Sequence, residues 1–374
     1  MKKTLTTLMV LALALAATSA IAGDTDWTFY GKVHSSINYQ SNGENGQIGL
    51  TSNTSRFGFK GSAPMGEQLN FIWQIERGVN MAQSSTTLSA RNTYVGFMNE
   101  NIGKVLMGIH DTPHKTLGRK TTFFFDTIGD NRQMTFGTDT REQDLLAWMS
   151  PNWSGFGLFL AYQFDQDGTR LDPNAAEDAE FYGETLFSGM ATYARDEFLV
   201  GASMIMFGSG WEATGGPDRG DAPMVFRLAG KYDAEKFGLA ASYLNGSFAA
   251  WDGADYQDMT ASTVGVEAIF HASEVYDVKG GYYMADPNTD TDDNDYSLLT
   301  LGIDRNFSKN LQMYIQYAMI SNSDGSDATM GGETFDGLNA GTNGYGDQFS
   351  GWYDADAGTY KNPMGFSWGL AYAW

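Results

Sequence analysis

The stretch Trp27-Thr28-Phe29-Tyr30-Gly31-Lys32-Val33-His34-Ser35-Ser36-Ile37-Asn38-Tyr39-Gln40 decides the fold. Its odd positions (Trp27, Phe29, Gly31, Val33, Ser35, Ile37, Tyr39) are largely apolar, while its even positions (Thr28, Tyr30, Lys32, His34, Ser36, Asn38, Gln40) are largely polar. A period of two puts each set on one face of a strand. The same alternation recurs where Leu69, Phe71, Trp73 and Ile75 oppose Gln68, Asn70, Gln74 and Glu76. It returns where Leu311, Met313, Ile315, Tyr317 and Met319 oppose Gln312, Tyr314 and Gln316, and again from Phe366 to Trp374.

Working outward, about sixteen such strands of roughly 9 to 12 residues are expected, the length a tilted strand needs to cross a bilayer. They start near residues 27, 47, 68, 89, 102, 142, 156, 185, 198, 223, 237, 258, 276, 296, 311 and 365. Their connections alternate in length. Ala63 to Glu67, Asn99 to Asn101, Asn152 to Gly155, Asp196-Glu197, Asp233 to Lys236, Ala272 to Val275 and Ser308 to Asn310 are short. Between them fall longer Gly- and Asp-rich stretches at 79–88, 111–141, 166–184, 208–222, 247–257, 286–295 and 321–364. A soluble sandwich has no reason to sort its loops by parity. A transmembrane antiparallel β-barrel does, with short periplasmic turns and long outer loops.

The composition suits that reading. Of 374 residues, 42% are apolar and 14% aromatic, so the chain is structured rather than disordered. Past residue 22 no run approaches the ~18 to 20 apolar residues of a spanning helix. A polar lumen reconciles a membrane protein with a mean hydropathy of -0.32. Forty-five acidic against 23 basic residues leave no basic cluster for nucleic acid. With no Cys there is no disulfide framework and no thiolate metal site. Lys2 and Lys3, the apolar run Leu8 to Ala17 and Ala20-Ile21-Ala22 read as a cleaved secretory signal over 1–22, leaving 23–374 as a single barrel domain. That segment holds two Lys and no acid, so its removal takes the formal charge from -22 to -24.

Specific motifs now enter. Phe29-Tyr30-Gly31-Lys32, Ser55 to Gly61 and Arg91 to Phe97 resemble the opening strands of the Gram-negative general diffusion porins. His110-Asp111-Thr112-Pro113-His114-Lys115 resembles the start of that family's third loop, and Ser150 to Phe156 its turn between strands six and seven. Tyr372-Ala373-Trp374 resembles the aromatic ending read by the outer-membrane assembly machinery. The resemblance implies a homotrimer of sixteen-stranded barrels in the outer membrane, in contact with lipid and lipopolysaccharide. It implies passive diffusion of small hydrophilic solutes and ions, and a third loop folded inward to narrow each pore.

Asp111 to Arg141 stands where that loop belongs and carries Phe125 to Asn131, similar to the acidic tip of relatives. Asp126 and Asp130 on the loop are therefore expected to face Lys32, Arg56, Lys60 and Arg91 on the wall, which alternation turns toward the lumen. Opposed charges there would set a transverse field that orients dipolar solutes. Ile109 and Ala147 stand where the family usually has Arg, which predicts a more negative constriction with a mild preference for cations. Lys115, Arg119, Lys120 and Arg132 of the same loop would act against it.

No enzyme is expected. G-x-S-x-G, G-x-x-x-x-G-K-[ST] and H-E-x-x-H are missing, and His34, His110, His114 and His271 read as solvated lumen or loop residues. The acids Asp286, Asp290, Asp292, Asp293 and Asp295 have Thr291 in place of the Gly of a calcium loop and Ser297 in place of its closing Glu, so no metal or other cofactor is predicted. An alternative function is a ligand-binding barrel, a sugar-selective channel or an adhesin, because Trp211, Trp251, Tyr345, Trp352 and Tyr353 fall in outer connections.

Overall fold

The computed structural model describes residues 26–41, 46–82, 88–164, 185–208, 224–251, 256–287, 294–323 and 362–374. Outside them lie residues 1–22, where a secretory signal is expected, residues 288–293 of the acidic run, Trp211, Tyr345, Trp352 and Tyr353, and the side chain of Trp251. The described chain forms one closed antiparallel barrel of sixteen strands. These are β1 (Asp26–Ser41), β2 (Gly46–Ser52 and Arg56–Pro64), β3 (Leu69–Gly78), β4 (Ser89–Ala90 and Thr93–Asn99), β5 (Gly103–Asp111), β6 (Arg141–Met149), β7 (Phe156–Gln163) and β8 (Leu186–Arg195). The second half comprises β9 (Phe198–Phe207), β10 (Met224–Asp233), β11 (Phe237–Trp251), β12 (Tyr256–His271), β13 (Tyr276–Asp286), β14 (Tyr296–Asn306), β15 (Leu311–Asn322) and β16 (Met364–Ala373).

Each strand pairs with its sequence neighbours, and β1 pairs with β16 from Lys32↔Ala373 to Ser41↔Met364. Closure leaves no open edge, so every strand finds partners on both sides, which hydrocarbon demands. The outward face is dominated by apolar side chains. Ile37, Val95, Leu228, Val266, Ile303 and Ile315 are all exposed there, since lipid and not a second sheet covers them.

The inward face is not uniformly polar. Leu106, Leu145, Ala147, Phe159 and Ala161 point inward and are buried in one apolar cluster, which Leu117 of a helix, α1 (Pro113–Lys120), joins. Tyr283, Leu298, Ala318 and Ile320 are likewise covered by Ile128 and Met134. The apolar core therefore sits between the segment 112–140 and the inner wall of β5 to β15. Thr112 caps α1 by accepting from the Lys115 amide and Pro113 opens it, a start signal readable in the sequence. A short 3-10 turn, Asn131–Met134, follows with Asp130 as its cap.

Candidate constriction beneath segment 111–141

The two feet of the segment are clipped together. Asp111, ending β5, pairs with Lys115 at 3.0 Å and with Arg141, opening β6, at 2.9 Å, while Asn92 on β4 accepts from the Arg141 Nε at 2.8 Å. A register shift between Gly108 and His110 re-aims the end of β5 into this cluster. From there α1 runs along the wall. Arg227 of β10 pairs with Asp139 at 2.8 Å and donates to the His114 carbonyl, and the His114 amide donates to Ser188 of β8. His114 is wholly buried, and burial with the Arg227 charge nearby holds its pKa well below the usual imidazole value. It is a packed neutral ring, not the solvated loop residue its sequence position suggests. His34 is also buried, with Nε2 2.9 Å from the Tyr314 hydroxyl.

The tip is fastened by charge and aromatic faces. Glu267 of β12 accepts from the Thr122 hydroxyl, the Phe123 amide and the Tyr283 hydroxyl. Three successive rings each meet a wall lysine: Lys231 over Phe123 at 4.0 Å, Lys279 over Phe124 at 4.8 Å and Lys32 over Phe125 at 5.6 Å. Such contacts contribute on the order of 1 kcal/mol each, more when dry.

Asp126 is the hub. Its side chain is fully buried and meets Lys32 at 3.3 Å, Arg56 at 3.8 Å, Arg132 at 3.9 Å and, most closely, Arg119. Burial raises its pKa, but Arg119, Lys32 and Arg132 outweigh that effect and hold the carboxyl well below the usual range. Asp130 behaves differently. It meets Arg132 at 3.1 Å, Arg119 at 4.0 Å and the Asp126 amide, all within the segment. Lys60 lies apart, exposed toward the short-turn end with its ammonium 5.3 Å from the Tyr30 ring. Arg91 meets Glu76 at 2.6 Å, and Arg56 meets the same carboxylate at 3.7 Å.

Glu76, Asp111 and Arg141 thus belong to the site although none was singled out from the sequence. Glu76 had a usable signal, since it occupies the polar face of its strand. Thr54, in the break of β2, adopts φ +55 and accepts from Arg56 through both its carbonyl and its hydroxyl. A β-branched residue there is strained, and the surrounding polar contacts hold it.

These groups enclose a cavity of about 140 Å³ lined by Arg56, Arg91, Lys115, Arg119, Arg132 and Arg141 against Glu76, Asp111 and Asp126. A second cavity, of about 460 Å³, opens toward the short turns past Phe125, which lines both. Six cations against three carboxylates differ from the cation-favouring constriction that Ile109 and Ala147 suggest. The physical reason lies in where those two residues go. Alternation from Met107 puts Ile109 on the lipid side of β5, and Ala147 is buried in the apolar cluster with Leu106, Leu145 and Phe159. Neither borders the cavity.

Residues 7–325 match the family model described as Gram-negative porin. An outer membrane porin protein of Bordetella pertussis is 25% identical over 373 residues, covering 85% of this chain and 94% of its own. Among solved structures, the anion-selective porin from Comamonas acidovorans superposes with a TM-score of 0.70 at 19% identity, covering 94% of this chain and 100% of that one. OmpT of Vibrio cholerae, in its trimer form, does so with 0.64 at 17% identity and the same coverage.

Proposed function

This chain belongs to the Gram-negative porin family, and we propose that its narrowest passage is the cavity under segment 111–141, with an overall preference for anions. Membership makes it a non-enzymatic outer-membrane channel for passive diffusion of small hydrophilic solutes. The finer reading rests on one observation, the excess of six cationic side chains over three acidic ones around the cavity. In a narrow gap with low-dielectric walls such a surplus focuses the field and enriches anions. Arg56 and Arg91 on the wall and Arg119 and Arg132 on the loop carry that preference. Lys32 and Asp126 brace its lower edge, Asp130 shapes the loop, and Lys60 serves the short-turn mouth.

The chain works as a homotrimer, as the Vibrio cholerae relative was solved in a trimer form. Residues 1–22 direct export, Trp374 presents the last strand to the assembly machinery, and lipopolysaccharide surrounds the outer rim. The anion-selective neighbour from Comamonas acidovorans has the same fold and supports the sign of the preference.

A planar-bilayer recording under a KCl gradient tests the selectivity. The expected reversal potential lies on the anion side, moves toward zero in Arg56→Ala with Arg91→Ala, and shrinks in high salt, where the Debye length falls to ~3 Å at 1 M. A cation-side reversal potential, or one indifferent to the double variant, overturns the proposal.

A further inference from the structure

The lipid face of β14 carries Leu301 and Ile303, 48% and 53% exposed, and then one charged residue, Arg305. Its neighbour Asp304 turns inward and pairs with Lys279 at 2.8 Å, so Arg305 points out of the barrel by the pleat. An arginine on that face is costly at mid-depth and nearly free at the interface. Arg305 lies at the shallow end. It stands just before the short turn Ser308 to Asn310, and its register partner is Tyr276, the first residue of β13. Phe237, Phe270, Tyr276 and Phe307 are exposed at this same end and mark the aromatic girdle that settles at headgroup level.

The guanidinium lies 4.5 Å from the Phe307 ring centroid and 5.6 Å from that of Tyr276. Those rings hold its plane. Among the described residues it has no ion pair and no hydrogen bond, whereas Arg195 at the same rim meets Asp196 at 3.7 Å. A forked set of donors is therefore oriented at headgroup depth without a protein anion.

We propose that Arg305, held by Phe307 and Tyr276, binds the phosphate of a glycerophospholipid in the periplasmic leaflet. The phosphodiester accepts the fork in bidentate fashion. The occupant is a lipid rather than free phosphate because the surface leading to the guanidinium, Leu301 and Ile303, is apolar and suits acyl chains.

The full chain, labelled with carbon-13 and nitrogen-15 in arginine, is reconstituted into phosphatidylglycerol vesicles, and solid-state NMR reads dephasing of guanidinium carbons by lipid phosphorus. Heat-modifiable migration establishes that each variant keeps a closed barrel. A dephased guanidinium component is expected in the unaltered protein, lost in Arg305→Gln and weakened in Phe307→Ala. In maltoside micelles with inorganic phosphate it should not appear. Equal dephasing with and without Arg305 overturns the proposal, as does dephasing by inorganic phosphate in micelles. Absence of the component from the unaltered protein in vesicles does so too, and points to a protein neighbour on this face.

Discussion

Asp126 combines a left-handed backbone, φ +55, with a fully buried carboxylate among four cations. Aspartate adopts that backbone with less strain than a β-branched residue such as Thr54. Asp126→Asn keeps the shape and removes the charge, leaving Lys32, Arg56, Arg119 and Arg132 without their shared partner. The expected outcome is a stronger anion preference by reversal potential and a loss of loop stability on the order of 3 kcal/mol. Asp130→Asn should shift selectivity less, because asparagine still caps the following turn and Asp130 pairs with only two of these cations, Arg119 and Arg132. Equal shifts in the two variants would refute this division of roles. His114 supplies a pH dependence. Burial and Arg227 depress its folded pKa below the ordinary 6.5, so the unfolded chain binds the extra proton first. Stability is full above 6.5 and falls as the pH drops below it. Thermal unfolding followed from neutral to mildly acidic pH should show this decline, and His114→Asn should make it shallower.

At the scale of elements, α1 is amphipathic in a way that serves two surfaces. Leu117 and Gly118 face the wall, while Lys115 and Arg119, one turn apart, face the cavity. Leu117 is fully buried against Gly201 of β9, in one apolar cluster with Met190, Ala229 and Phe159. Leu117→Ala should cost about 2 to 5 kcal/mol of docking energy. The barrel strands do not depend on that contact, so hydrogen exchange should rise over 113–120 while heat-modifiable migration persists. Loss of the folded band would mean that the helix is needed to close the barrel. The strands themselves were legible from alternation, and several, such as those opening at 198, 276 and 311, begin where the period of two does. The break in β2 at 53–55 was not, since the positive φ of Thr54 answers to Arg56 and to the cavity, not to any local preference.

For the whole molecule, closure is decided where the two ends of the described barrel meet. Trp374 exchanges backbone hydrogen bonds with Gly31 at 3.1 and 3.2 Å, and its ring covers the space a Cβ at Gly31 would fill. At 42% exposure it also faces lipid beside Phe29. Deleting β16 strips β1 and β15 of their partners and opens an unpaired edge in hydrocarbon. Both heat-modifiable migration and trimers should vanish; trimers that persist in membranes would show that some other strand closes the sheet.

By itself the sequence determined the barrel, its strand count and, away from the break in β2 and the register shift in β5, the side on which a strand residue falls, because the pleat alternates the two faces. It also placed Lys32, Arg56, Arg91 and Asp126 near one passage. Only the tertiary structure decided which charges converge. The path of segment 111–141 across the inner wall carries Arg119 and Arg132 into the cavity, draws in Glu76, Asp111 and Arg141, turns Asp130 to the loop's own interior and leaves Lys60 outside. That path is set by contacts between residues far apart in the chain, such as Asp139 with Arg227 and Phe123 with Lys231. Its one local trace is the apolar residue on the water-filled side of a strand, Ala147 or Ile320, which has reason to be there only if something covers it.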